Sequence, residues 1–208
     1  MNRRDSIFFV TIKNFITGDN VFVSPELGEV SANRKLVDLE FLINAPMDYQ
    51  SDEAEVILFI DKHNCERSLS KGKYQVRHHE ISDNSRFIAW ANRFIRTLHR
   101  ANAPSLLLLD FNQLIEMLVI SNRKRFEFKT FASTEIQSLD FTQLDVACSP
   151  IISTYITSEQ NININDFRAM LKKTSSKVSD KAMSAVSFVE SHKVQGTEVS
   201  VFYALAEN

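Results

Sequence analysis

Apolar and polar positions along this chain predict strands toward both ends and one long helix between them. Within residues 6 to 23, two runs rich in Val, Ile and Phe flank Gly18-Asp19-Asn20, the pattern of a β-hairpin. Val56 to Ile60 is a short continuous apolar run between Glu55 and Asp61, as in a buried strand. Tyr74 to Ile81, after the Lys71-Gly72-Lys73 turn, predicts another. A helix is expected from Asp83, a good N-cap, to Arg100, before Pro104 stops it. Phe87, Ala91, Phe94 and Leu98 recur there at helical spacing, with Trp90 beside them, and form a core stripe.

Beyond Pro104, Leu106 to Leu109 suits a strand and Phe111 to Val119 suits either element. Arg125 to Phe131 alternates as a strand after the turn Asn122-Arg123-Lys124, and Ile151 to Ile156 predicts another strand. Asn165 or Asp166 caps a short helix to Lys173. A second helix is read over Ser179 to Glu190 from the spacing of Val178, Ala182, Ala185 and Val189. Gly196 ends it, and Val199, Val201, Tyr203 and Leu205 alternate as a closing strand. With no regular βαβ rhythm, the expected fold is α+β: a mixed, mostly antiparallel sheet, a central amphipathic helix at 83–100 and a C-terminal helical pair. No repeat or linker interrupts the chain, so one domain over 1–208 is expected, with 101–105 the place of any subdivision.

Composition supports a folded core. Of 208 residues, 44% are hydrophobic and 24% charged, with 16 Phe against four Gly and four Pro. Cys65 and Cys148 match no metal or redox spacing and read as reduced thiols of a cytoplasmic protein. The apolar run after Met1-Asn2-Arg3-Arg4 ends too early for a secretory signal. Leu106 to Ile120 carries Asp110, Asn112, Gln113 and Glu116 and is too polar for a membrane span, so no membrane partner is expected.

Charge changes the picture more. From Asp19 to Asp61 there are ten acidic residues against two basic ones, Arg34 and Lys35; from Lys62 to Arg100, nine basic residues face three acidic ones. Arg86, Arg93, Arg96 and Arg100 fall on one helical side, away from the Phe stripe. Arg123, Lys124 and Arg125 form a second basic cluster. Arg168, Lys172, Lys173, Lys177 and Lys181 form a third. Such clusters suit phosphate. They fit equally a set of solvated faces, with the basic helix packed on the acidic 19–61 segment of the same chain or of a partner.

Motifs exclude more than they assign. Glycines stand only at 18, 28, 72 and 196, so no Walker, dinucleotide or kinase phosphate loop and no nucleophile elbow can be written, which argues against ordinary ATPases, Rossmann enzymes and α/β-hydrolases. Asp110, followed by Glu127 and Lys129 two apart on a strand, resembles the PD-(D/E)xK nuclease core. That resemblance implies two carboxylates on Mg²⁺ and a lysine beside the attacking water. The competing reading makes Arg125, Glu127 and Lys129 the exposed face of a strand whose Phe126 and Phe128 face the core. His63, Cys65, His78 and His79, or His78 and Glu80 with a distant histidine, are candidate metal donors without a specific spacing. The helices at 166–173 and 179–190 have the outline of a helix-turn-helix without its small turn residue.

The sequence therefore leads to a non-catalytic binding or accessory subunit without a cofactor. It would contact DNA, RNA or an acidic protein through Arg86, Arg93, Arg96, Arg100, Arg123, Lys124 and Arg125. The alternatives are a Mg²⁺-dependent nuclease using Asp110, Glu127 and Lys129, and a purely structural assembly module, in a hetero-complex or a homo-oligomer.

Overall fold

The computed structural model describes residues 9–24, 28–29, 37–51, 54–62, 65–78, 81–101, 111–133, 151–158, 163–175, 183–190 and 196–205. The chain divides into two compact units, Met1–Arg96 and Thr97–Asn208.

The first unit is organised by strands β1 (Val10–Asn14), β2 (Asn20–Ser24), β3 (Gly28–Glu29), β4 (Val37–Ile43), β5 (Ala54–Lys62) and β6 (Lys73–His78), in the sheet order β3-β2-β1-β4-β5-β6. The expected hairpin is present as β1 and β2, antiparallel about the Gly18 turn. From β1 onward the sheet is parallel, β1 with β4, β4 with β5 and β5 with β6. This overturns the expectation of an α+β fold with a mostly antiparallel sheet. Parallel neighbours need crossovers, usually helical ones. Between β4 and β5 and between β5 and β6, residues 44–53 and 63–72 make them, with no helix among their described residues. That is why the sequence showed no βαβ rhythm. The β4 strand, unnoticed within the acidic segment, reads Val-Asp-Leu-Glu-Phe-Leu-Ile and is buried at six of its seven positions. Continuous burial is the mark of a strand covered on both sides.

Alternation along these strands makes two dissimilar faces. Leu39, Phe41 and Ile43 line up with Val56, Leu58 and Ile60, and Leu58 and Ile60 with Tyr74 and Val76. On this face lies helix α1 (Asn84–Ala101), with the edge of Phe94 against Phe41 at 6.2 Å and Trp90 edge-on to His78 at 4.8 Å. Phe87, Ala91, Phe94 and Leu98 are buried as their spacing required. The Asp83 carboxylate accepts from the Arg86 backbone N–H at 2.8 Å, so Asp83 is the N-cap. The opposite face holds Leu42, Ala45, Ile57 and Phe59, covered by Tyr49 and Leu69 from the two crossovers.

In the second unit, helix α2 (Phe111–Ile120) resolves the ambiguous run as helix, and Leu114, Ile115, Met117 and Leu118 are buried. Strand β7 (Arg125–Ser133), strand β8 (Ile151–Ser158), helix α3 (Ile164–Ser175), strand β9 (Met183–Glu190) and strand β10 (Thr197–Ala204) follow, in the sheet order β7-β10-β8-β9. β10 is antiparallel to β7 and β8, while β9 is parallel to β8. The expected C-terminal helical pair is therefore half right: α3 is a helix, but the 179–190 helix is replaced by β9. Ala185 and Val189 mimic helical spacing, yet the segment is rich in Val and Phe and pairs with β8 along its whole length, and tertiary pairing decides. The Leu106–Leu109 strand expectation lies outside the described residues.

Two glycines are held at positive φ for different reasons. Gly18 has φ of 82° in open space, whereas at Gly72, φ 76°, a Cβ would meet the Glu55 carbonyl oxygen at 2.7 Å. Gly18→Ala is expected to lower stability by about 1 kcal/mol, the cost of left-handed backbone. Gly72→Ala adds a backbone clash and lowers it further. Urea midpoints of the two variants check the order.

Candidate functional site: a cleft at the carboxyl ends of the parallel strands

In open sheets with parallel strands, ligands dock outside the carboxyl ends of those strands. The first unit has a cleft of about 530 Å³ there, lined by Phe15, the Asn44–Met47 segment, Lys62 and Cys65. The strand ends are stepped by backbone hydrogen bonds, Phe15 N–H to the Ile43 carbonyl at 3.0 Å and Asn44 N–H to the Ile60 carbonyl at 2.9 Å. Asn14 ends β1, its buried side-chain oxygen accepting from the Ile16 and Thr17 N–H groups at 3.0 and 3.3 Å. Asn44 ends β4 with φ of 52°, a left-handed conformation that asparagine tolerates and a branched residue resists. Phe15 then stands edge-on to Tyr49 at 4.8 Å.

A buried polar network holds the cleft walls. Asp61, at the end of the β5 apolar run, accepts two hydrogen bonds from Arg67, at 2.7 and 2.9 Å, and one from Gln75 at 2.7 Å. Arg67 also donates to the Pro46 carbonyl at 2.8 Å and to the Ala45 carbonyl, and its guanidinium lies 4.3 Å from the centre of the Phe59 ring. Gln75 donates to the Cys65 carbonyl at 2.8 Å. All three side chains are buried. Burial works against the Arg67 charge, but the hydrogen bond and negative charge of Asp61 outweigh it and hold the guanidinium above its ordinary pKa.

Two functional groups face the opening. Lys62 is committed, its ammonium donating to the Ser82 carbonyl at 3.2 Å and to the Asn84 side chain at 2.5 Å. Cys65 Sγ lies 3.0 Å from Met47 Sδ, and burial, then the Asp61 charge, push its thiol up to about 11. It is therefore a protonated, weakly reactive thiol at neutral pH.

The residues singled out from sequence lie elsewhere. Arg86, Arg93 and Arg96 are exposed along α1, while the Arg100 side chain lies outside the described residues. The exposed arginines are a solvated face: α1 packs by its apolar stripe on β4 and β5, within the 19–61 segment, while the acidic Glu40 and Asp61 of that segment are themselves buried. Arg123 and Lys124 occupy the turn after α2, and Arg125 opens β7. Asp110 lies outside the described residues. Glu127 and Lys129 do share a face of β7, 3.6 Å apart, but Glu127 is buried and accepts from the Tyr203 hydroxyl, so it is not an exposed carboxylate. His78 belongs to the α1 face and Cys65 to the crossover face, so they do not converge; His63, His79 and Glu80 lie outside the described residues. Among the described residues no group of three or more His, Cys, Asp or Glu can hold a metal, and no helix is long and apolar enough to cross a membrane.

Neither a protein-family model nor a curated protein sequence matches the chain. Solved structures do. An FtsZ of M. jannaschii, described as an empty dimer, aligns with a TM-score of 0.57 over 83% of this chain at 9% identity. The fold is FtsZ-like. A W319Y mutant of FtsZ from M. jannaschii aligns at 0.55 over 84% of the chain with 8% identity, and CetZ from Methanosaeta thermophila at 0.53 over 85% with 10%. The chain spans 64%, 66% and 63% of the lengths of these three. An FtsZ-like sheet is an α/β fold of Rossmann-like kind, so the lack of a dinucleotide fingerprint excluded a loop but not the architecture. The likeness also runs against the reading as a nucleic-acid-binding accessory subunit and against the nuclease. Asn44, Asp61, Arg67 and Gln75 went unnoticed; the one signal for them was an aspartate closing an apolar strand.

Arg67→Met strands Asp61 in the core and is expected to cost about 3–5 kcal/mol of stability in urea unfolding. Asp61→Leu with Arg67→Met recovers part of that loss. In a Cys148→Ser background, Cys65 alkylation is expected to stay slow at pH 8 and to rise only toward pH 11. A raised thiol pKa favours the protonated folded form, so the Cys65 contribution to stability falls as pH climbs from 9 to 11.

Proposed function

We propose that this chain is a cytoskeletal protein of the FtsZ and CetZ kind, acting in the cytoplasm by association with further copies of itself. The observation that carries the reading is the alignment of more than four fifths of the chain, 83%, with an FtsZ described as a dimer. A homo-oligomer is the partner the reading keeps.

The ligand to test with this architecture is a guanine nucleotide, and the cleft stands where an α/β sheet would receive one. Phe15, Pro46 and Met47 offer apolar surface to a base. The phosphates are poorly served. A phosphate cradle needs a run of free backbone N–H groups at glycine-rich turns. Among the described residues around the cleft there is no glycine from Asn44 to Gln50, and the N–H groups of Phe15, Ile16, Thr17, Asn44, Tyr49 and Cys65 are already bonded within the protein. The cleft's one ammonium is anchored on Ser82 and Asn84. These residues do not fit a triphosphate, and no hydrolytic step is assigned to them.

Sedimentation velocity across a wide concentration range tests the reading, with and without GTP and Mg²⁺. Concentration-dependent association that GTP changes less than two-fold is expected. A monomer at every concentration removes the cytoskeletal reading, and GTP-dependent polymer with phosphate release overturns the account of the cleft.

A further inference from the structure

The sheet of the second unit ends on β9, an eight-residue strand paired with β8 on one side. Among the described residues nothing pairs with its other side. A strand of that length presents a row of backbone donors and acceptors, and proteins ordinarily blunt such an edge with Pro, Lys, a bulge or extreme shortness. The first unit's sheet follows that practice, since its edge strand β3 is two residues long. β9 does not. Its sequence, Met-Ser-Ala-Val-Ser-Phe-Val-Glu, has no Pro, Gly, Lys or Arg, and its register with β8 runs unbroken from Met183 to Glu190.

We propose that β9 is a self-association edge, pairing with β9 of a second copy of this chain in an antiparallel ladder about a two-fold axis. The fold shared with an FtsZ described as a dimer supplies the occupant, a second copy, and charge placement selects the direction. The strand has a single charge, Glu190, at its end. Parallel in-register pairing sets two glutamates side by side, whereas antiparallel pairing sends them to opposite ends of the ladder. An isologous contact of this type closes after two copies. The inference rests on the self-association proposed above and names one surface that takes part in it.

The test is Ser187→Lys, which puts a charge near the middle of the ladder, set beside Ser187→Glu and an equimolar mixture of the two. Each single variant is expected to raise the dimer dissociation constant at least ten-fold in sedimentation velocity, with the far-ultraviolet spectrum and melting temperature unchanged. The mixture, bringing opposite charges together, restores association. Amide hydrogen exchange on the wild type provides a readout independent of any substitution: protection of 183–190 rises as concentration drives monomer to dimer. If the wild type associates while protection there stays constant, or if both folded variants associate as well as wild type, the β9 edge is overturned and self-association stands. A wild type that stays monomeric overturns both.

Discussion

The contact on which the first unit most depends is the buried pair of Asp61 and Arg67. A parallel sheet needs its crossovers packed over a face, and the described residues of the two crossovers flanking β5 are loops whose own backbone cannot satisfy itself as a helix would. Arg67 meets that need from one position. It neutralises Asp61 at the end of β5, donates to the Ala45 and Pro46 carbonyls of the first crossover, and is itself part of the second. Gln75 closes the network by joining Asp61 to the Cys65 carbonyl. Burying two charges is expensive, and the cost is offset only where further hydrogen bonds complete the groups, as they do here.

This arrangement also fixes the character of the cleft. Ala45, Pro46 and Cys65 turn their carbonyls inward to the network, and the neighbouring N–H groups are used in stepping the strand ends. The rim that remains is apolar, with a thioether, a protonated thiol and an anchored ammonium. The cleft at the strand ends thus has walls built for rigidity more than for grasping an anion.

Legibility followed how local each signal is. The Phe87, Ala91, Phe94 and Leu98 stripe is a local pattern, and α1 runs where the spacing placed it. The β1–β2 hairpin, β5, β6, β7, β8 and β10 were likewise readable from runs and turns. What failed were properties decided between distant segments. Strand direction depends on how chains cross over, and the crossovers, loops over their described residues 44–51 and 65–72, left no helical period to reveal parallel pairing. In β4, Asp38 and Glu40 disguised a core strand, because Glu40 is wholly buried with Lys13 2.7 Å away across the sheet. In β9, Ala185 and Val189, in step with Val178 and Ala182, outweighed Val and Phe content that β8 was waiting to pair. The Arg67 network had no sequence signal beyond Asp61 closing an apolar strand, since its members lie six to twenty-two residues from the carbonyls and carboxylate they bring together only after folding.

The two-residue β3 has a consequence for stoichiometry. Among the described residues it leaves that border of the first unit's sheet too short to carry a ladder, and a main-chain contact through β9 alone makes pairs and stops. An assembly longer than a β9 pair would therefore alternate that joint with a chemically different one. Its length would be set by the weaker joint, and salt or temperature would act on the two unequally.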